Sequence, residues 1–222
     1  MSKTYFIIGS NSFSGSNFID FILKKKIKVI GISRSKEIDK KYLKYKSNKN
    51  KSLFKFYQLD LNKDLNKIIK LINYFKPSFI VNYAAQGMVE QSWEKPEDWY
   101  YTNLYSQVKF YNLLNYKNFI KKIIHVSTPE VYGSTHKKVL ENTNFNPTTP
   151  YAISRAAMDL HLLRYYKYKK LPIIITRTAN VYGPGQQIYR IIPKSFVYFR
   201  KNKKFPLDGS GNSKRSFIYI DD

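Results

Sequence analysis

The stretch Thr4-Tyr5-Phe6-Ile7-Ile8-Gly9-Ser10-Asn11-Ser12-Phe13-Ser14-Gly15 decides the fold. Thr4 to Ile8 is a short β-prone run, and it breaks at a turn bounded by Gly9 and Gly15. Beyond the turn Phe13, Phe18, Phe21 and Ile22 recur on one side of a helix, and Lys24 to Lys26 put cations where the helix dipole favours them. Strand, glycine turn and helix in this order open a dinucleotide-binding unit, because the turn lets backbone N–H groups approach a pyrophosphate at the positive helix end. The spacing G-x-x-G-x-x-G wants glycine where Ser12 stands, so the turn needs support from the rest of the chain.

Beyond the first helix the chain alternates steadily. Strands are expected at Lys28 to Ser33, Phe54 to Gln58, Phe79 to Tyr83, Ile123 to Val126 and Leu171 to Thr178. Helices are expected at Leu65 to Phe75, at about Glu97 to Leu114 as one long element, and at Tyr151 to about Lys167, with a short one at Ile191 to Arg200. Strands that alternate with helices specify a parallel doubly wound sheet, since parallel neighbours need crossovers and right-handed crossovers cover both faces. Lys36 to Ser52 reads as a polar, basic connection, partly helical and mobile. Asp208 to Gly211 reads as a turn, and Arg215 to Asp222 as a strand.

Composition narrows the class. The 222 residues are 43% hydrophobic and 17% aromatic, with 20 Tyr and 15 Phe, enough to bury a sizeable core. There is no cysteine, and the three His offer no ligand spacing, so neither disulfides nor a metal site is expected. No signal peptide and no bilayer-length apolar run is visible, which points to a soluble, cytoplasmic chain with no membrane partner. The formal charge of +24 permits anionic partners, but the lysines are spread through the whole chain and read as a compositional bias, so no nucleic acid is expected.

Ligands of such sheets bind at the carboxyl ends of the strands, which directs attention to a few segments. After the second strand stands Ser33-Arg34-Ser35, where an acid would hold the ribose hydroxyl of NAD; a guanidinium with two hydroxyls suits the 2′-phosphate of NADP instead. The third strand leads to Asp60-Leu61, and the fourth to Ala84-Ala85-Gln86-Gly87, small residues that let a cofactor lie close to the backbone. After the fifth comes Ser127-Thr128-Pro129-Glu130, a hydroxyl and a carboxylate together. Tyr151 and Arg155 lie one helical turn apart, so phenol and guanidinium can address one ligand.

With these pieces in order, the chain resembles the extended short-chain dehydrogenase/reductases, and within them the NAD(P)-dependent nucleotide-sugar epimerases and dehydratases. The resemblance rests on Gly9 to Gly15, Ala84 to Gln86, Ser127 to Gly133, Pro150 to Arg155, Asn180 to Gly185 and Arg215 to Asp222, and covers nearly the whole chain. It implies a Rossmann-like NAD(P)-binding domain over residues 1–178 and the beginning of a smaller substrate-binding lobe over 179–222, with the remainder of that lobe absent. Gly9, Ser12, Phe13, Gly15, Arg34, Asp60, Leu61, Ala84, Ala85, Gln86, Tyr151 and Arg155 then fall at cofactor positions, with NADP slightly favoured over NAD. Asn180, Arg190 and Arg215 fall where the family contacts the nucleotide diphosphate. A homodimer paired through the Glu97–Leu114 and Tyr151–Lys167 helices is also implied.

The family's chemistry gives the remaining roles. A tyrosine, here Tyr151, deprotonates the sugar C4 hydroxyl; an ordinary phenol pKa of about 10 must be lowered by nearby positive charge for that. The family uses a lysine four residues on, where this chain has Arg155. Thr128 would hydrogen-bond the sugar O4. Glu130 is what 4,6-dehydratases need and epimerases do not, because it removes the C5 proton once C4 is a ketone. An aspartate just before that glutamate marks the dTDP-glucose enzymes, whereas Pro129 stands here, as GDP-mannose enzymes also lack it. The expectation is therefore a dTDP-glucose or GDP-mannose type 4,6-dehydratase, with a C4 epimerase or reductase and a catalytically impaired nucleotide-binding fragment as rivals.

Overall fold

The computed structural model describes residues 3–114, 117–135, 138–206 and 214–222. The expected turn at 208–211 lies outside them. The first strand, β1 (Thr4–Ile8), leads into α1 (Phe13–Lys24), β2 (Lys28–Ser33), β3 (Phe54–Gln58), α2 (Leu65–Phe75) and β4 (Phe79–Asn82). After α3 (Pro96–Tyr100) and α4 (Ser106–Leu114) come β5 (Lys122–Val126), α5 (Pro150–Lys169) and β6 (Ile173–Thr176). The first six strands form one parallel sheet in the order β3-β2-β1-β4-β5-β6, the doubly wound arrangement the alternation predicts. The chain then adds β7 (Asn180–Tyr182), α6 (Ile191–Arg200) and β8 (Phe217–Tyr219), with β7 and β8 paired in parallel as a separate small sheet.

The period-two pattern of each strand assigns its side chains to the two faces. Phe6, Ile8, Ile30, Ile32 and Ile80 face one layer, where they meet Ile68 and Ile72 of α2, Phe110 and Leu114 of α4, and Met158 and Leu162 of α5. Ile7, Val29 and Val81 face the other, against Ile19, Ile22 and Leu23 of α1. Burying aliphatic side chains on both faces is what makes a parallel sheet stable, at about 25 cal/mol per Å² of apolar surface removed from water.

The 36–52 connection departs from the expectation of a loose segment. Two short 3-10 turns, Lys44–Ser47 and Lys51–Leu53, place Leu43 and Tyr45 in the α1-side core. Asn48 Nδ2 donates to Asp20 Oδ1 at 2.7 Å and Asn50 Nδ2 to the Leu23 carbonyl at 2.9 Å, tying the segment to α1. Its polarity misleads because Leu43 and Tyr45 have the spacing of neither an amphipathic helix nor a long strand.

The helix expected over Glu97–Leu114 is also modified. It runs as α3, one π turn at Tyr101–Tyr105 and α4, so the element accommodates one extra residue in its middle. At the C-terminal ends of α1, α2 and α5, Lys26, Lys76 and Lys170 adopt positive φ of 56°, 45° and 56°. Such positions favour glycine. Replacement of Lys76 by glycine is expected to raise unfolding free energy by about 0.5–1 kcal/mol in urea titrations.

Candidate active site

The cleft is shaped by the first turn. Gly9 has φ +80°, and a Cβ on it would stand 2.9 Å from the Ala84 nitrogen. A Cβ on Gly15 would stand 2.5 Å from the Gly9 carbonyl oxygen, so both glycines are required for β1, α1 and β4 to meet. Ser12, the departure from the glycine spacing, has φ −70° and needs no special freedom. Its hydroxyl accepts from the Gly15 N–H at 3.0 Å and caps α1. Phe13 is buried behind the turn, and the hydroxyl of Ser10 and the side-chain carbonyl of Asn11 are buried there without a protein partner.

These walls enclose a cleft of about 340 Å³ at the carboxyl ends of β1, β2 and β4. Of the sequence-predicted cofactor residues, Gly9, Ser12, Arg34, Asp60, Leu61, Ala84 and Ala85 line it. Across its mouth an Arg34 guanidinium nitrogen donates to Gln86 Oε1 at 3.4 Å, joining the ends of β2 and β4. Tyr83 and Thr102 line it as well, without having been singled out from sequence, and Tyr189 reaches in from the C-terminal segment. A narrow glycine cradle with unpartnered polar groups behind it fits a bound dinucleotide.

The second half of the site begins at β5. Thr128 caps a 3-10 turn, Pro129–Tyr132, by accepting from the Glu130 N–H at 3.3 Å, and the turn presents Glu130 beside Arg215, with Oε1 to Nη2 at 3.8 Å. Gly133 ends the turn with φ +68°, where a Cβ would collide with the Asn146 carbonyl oxygen at 2.1 Å. Thr149 then caps α5, accepting from the Ala152 N–H at 3.1 Å, and Pro150 occupies the first turn, where its missing N–H costs nothing. Tyr151 is thereby held half-buried at the start of α5, its N–H bonded to Ser92 Oγ at 3.2 Å. The 129–132 turn packs against α5, so Thr128, Glu130 and Tyr151 share one end of the sheet.

Arg155 does not behave as expected. It is 1% exposed, and its guanidinium donates to the Val126 carbonyl and faces His125 Nε2 at 3.4 Å, while its Nε and Nη1 lack hydrogen-bond partners. It lies one turn beyond Tyr151, and its length lets the guanidinium fold under the end of β5 and take the carbonyl there. Asn180 and Arg190 are exposed: Asn180 Nδ2 donates to the carbonyl of Ser216, next to Arg215, at 3.4 Å, and Arg190 lies by Gly87.

Several polar residues that hold the site together escaped the sequence reading. The Asn103 carboxamide accepts from the Gln86 N–H at 2.7 Å, and donates to the Gln86 carbonyl and to Ser154 Oγ, both at 3.0 Å. Asn82 Nδ2 donates to Gln107 Oε1 at 2.7 Å and to the Tyr111 hydroxyl at 3.0 Å, and that hydroxyl meets His125 Nδ1 at 2.7 Å. Asn103, Gln107 and Tyr111 are four residues apart, a polar stripe on an inward face that could have signalled them. Behind the 129–132 turn, Arg177 bonds Asp159 at 2.7 Å and the Tyr132 hydroxyl at 2.8 Å. Burial drives the Asp159 carboxyl upward, opposed by Ser127 and Arg177.

Known proteins share this fold. The profile of the NAD dependent epimerase/dehydratase family matches residues 5–222. The dTDP-D-glucose 4,6-dehydratase of Mus musculus is 36% identical over 174 residues, covering 78% of this chain and 48% of the relative. That of Dictyostelium discoideum is 34% identical over 97% of this chain and 52% of its own length. The chain thus spans about half the length of these curated relatives. A crystal structure of dTDP-glucose 4,6-dehydratase from Bacillus anthracis with NAD superposes with a TM-score of 0.85 at 29% identity, covering 99% of this chain and 68% of that one. A Bacillus cereus UDP-glucuronic acid 4-epimerase superposes at 0.83 and 26%, covering 98% and 69%.

His125 is fully buried, and burial together with the Arg155 charge holds its pKa well below the ordinary 6.5. The unfolded chain therefore binds a proton that the native one does not, so His125 costs no stability above about pH 6.5 and removes up to about 1.4 kcal/mol per pH unit below it. Urea unfolding from pH 7 to pH 5 should show a shallower loss in His125→Asn than in the unaltered chain. An unchanged slope would mean that His125 is not the group responsible.

Proposed function

Because the chain belongs to the NAD dependent epimerase/dehydratase family, we propose that it carries the dinucleotide-binding and catalytic part of a nucleotide-sugar 4,6-dehydratase. In this reading residues 1–178 form the cofactor domain and 179–222 begin the substrate region. The observation that carries it is Glu130 on the same short turn as Thr128, at the sheet end where α5 presents Tyr151.

The cleft residues would hold a nicotinamide dinucleotide, with Gly9 and Ser12 at the pyrophosphate and Arg34 at the adenosine ribose. The bound group supplies a reversible hydride acceptor. Tyr151 takes the proton of the sugar C4 hydroxyl, and Thr128 hydrogen-bonds the same oxygen. Glu130 would remove the proton from C5, acidified by the neighbouring carbonyl, and pass it to the C6 hydroxyl, which leaves as water; with the hydride from C4 returned to C6, Glu130 would deliver a solvent proton to C5. Arg215, 3.8 Å from Glu130, would contact the diphosphate once substrate enters. Arg155, buried with its guanidinium on the Val126 carbonyl, stands where the family carries a lysine.

A C4 epimerase is the second reading, since a 4-epimerase stands among the similar structures, but it leaves Glu130 without a task. For the cofactor, Arg34 in place of an acid supports NADP, whereas the dehydratase from Bacillus anthracis was solved with NAD. The nucleotide sugar is proposed only as dTDP-glucose or GDP-mannose.

Incubation with dTDP-glucose, GDP-mannose and UDP-sugars, with NAD or NADP, should yield a 4-keto-6-deoxy product from one of them. Glu130→Gln should cut turnover by about 100-fold or more while cofactor titration is unchanged. Arg155→Lys should raise turnover by about tenfold or more. Dinucleotide binding with no keto product from any sugar would leave a binding protein in place of the enzyme.

A homodimer is proposed from the outward faces of α3, α4, α5 and the π turn, where Tyr101, Tyr105, Leu113, Ile153 and Leu160 are exposed. Light scattering should give twice the chain mass, and Leu160→Glu should reduce it to one. A monomer before substitution refutes the pairing.

A further inference from the structure

The topology brings some of the lysines that look dispersed along the chain to one edge. All six main strands run the same way, so they begin at one edge of the sheet, opposite the cleft. Lys28 stands level with Thr4, and Phe79 is level with both Tyr5 and Lys122, which puts the starts of β1, β2, β4 and β5 in one row. Lys28 and Lys122 begin β2 and β5, Lys3 and Lys121 immediately precede β1 and β5, and all four are exposed. Lys26, Lys76 and Lys170 close α1, α2 and α5 at the same edge and are exposed too.

Helix dipoles account for a cation at the last three positions, although each sits in a conformation that favours glycine. They do not account for the lysines that begin strands. Among the described residues the acids near this edge are Asp20, 4% exposed and held by Lys24 at 2.9 Å, and Asp221 of the C-terminal tail, whose charge also acts on Lys24. The other described carboxylates come after strand ends on the cleft side, lie within α5 or belong to the C-terminal tail. No arginine begins one of these strands or closes α1, α2 or α5.

Large rings accompany the charge. Phe21 is 52% exposed, Tyr74 78% and Tyr168 82%, each in the last turns of a helix that ends at this edge. Lys25 Nζ lies 4.6 Å from the centre of the Phe21 ring and Lys169 Nζ 5.3 Å from that of Tyr168. Aromatic bodies flanked by lysine ammoniums suit the headgroup layer of a bilayer, where rings sink to the acyl boundary and ammoniums stay with phosphates. Nucleic acid is favoured less, because its phosphates and base edges are met best by the planar fork of arginine.

We propose that this edge is a docking surface for an anionic lipid bilayer. The protein lies on acidic headgroups through the strand-start lysines and the three rings, with the cleft turned to the aqueous side. The attraction acts within a Debye length, about 8 Å at physiological salt, so it is reversible and salt-sensitive. It does not depend on the reaction assigned to the cleft.

The test is co-sedimentation of the full chain with vesicles of phosphatidylcholine alone or mixed equally with phosphatidylserine. Partition onto the mixed vesicles should exceed that onto neutral ones by about tenfold or more, and high salt should release the protein. The edge reversal K121E/K122E/K170E should lower partition by about tenfold, whereas K201E/K203E/K204E, the same charge change beside α6, should lower it less than about twofold. Phe21→Ser with Tyr168→Ser should weaken binding at unchanged charge. Thermal unfolding of each variant verifies its fold. Equal loss in both reversals, equal binding to neutral vesicles, or tighter binding to duplex DNA than to mixed vesicles would overturn the proposal.

Discussion

The carboxamide of Asn103 is the contact on which the arrangement of the cleft depends. It holds both backbone groups of Gln86, at the end of β4, and also reaches Ser154 on α5, one turn from Tyr151. The strand that walls the cofactor cleft and the helix that carries the phenol are thereby fixed to one side chain. Asn103 is fully buried, so each of these bonds forms away from competing water and leaves a costly unpaired amide if broken. The neighbouring chain from Asn82 through Tyr111 to His125 ties β4 to β5 in the same manner, one layer deeper.

How much of this was legible in the sequence depended on whether a residue's role is local. The strands and α2 declare themselves by periodicity, and the cleft glycines by spacing, because each rule concerns neighbours in the chain. Leu43 and Tyr45 fail that condition: nothing near them announces that α1 waits to receive them. The burial of Arg155 could not be read from its spacing, since periodicity gives the direction of a Cβ and not the path of a long side chain. Asn103 and Gln107 were hidden inside a pattern read for its apolar members.

The lysines behave in the same way at a larger scale. Along the chain their distribution is even enough to pass for composition, and only a parallel sheet, with every strand starting at one edge, turns that distribution into a face. The same polarity puts the carboxyl ends, the glycine turn and Glu130 at the other edge. One topological property thus separates an edge suited to anions in bulk from a cleft suited to one anionic ligand.

The π turn at Tyr101–Tyr105 also bears on how this protein can change over generations. Such a turn absorbs a single inserted residue, so losing that residue would let α3 and α4 join as an ordinary helix with both halves still seated. Length variation at this point is therefore cheap for the scaffold and expensive for the grip of Asn103 on Gln86. A one-residue gap here, in a set of descendants, would mark the lineages in which the cleft had been remodelled.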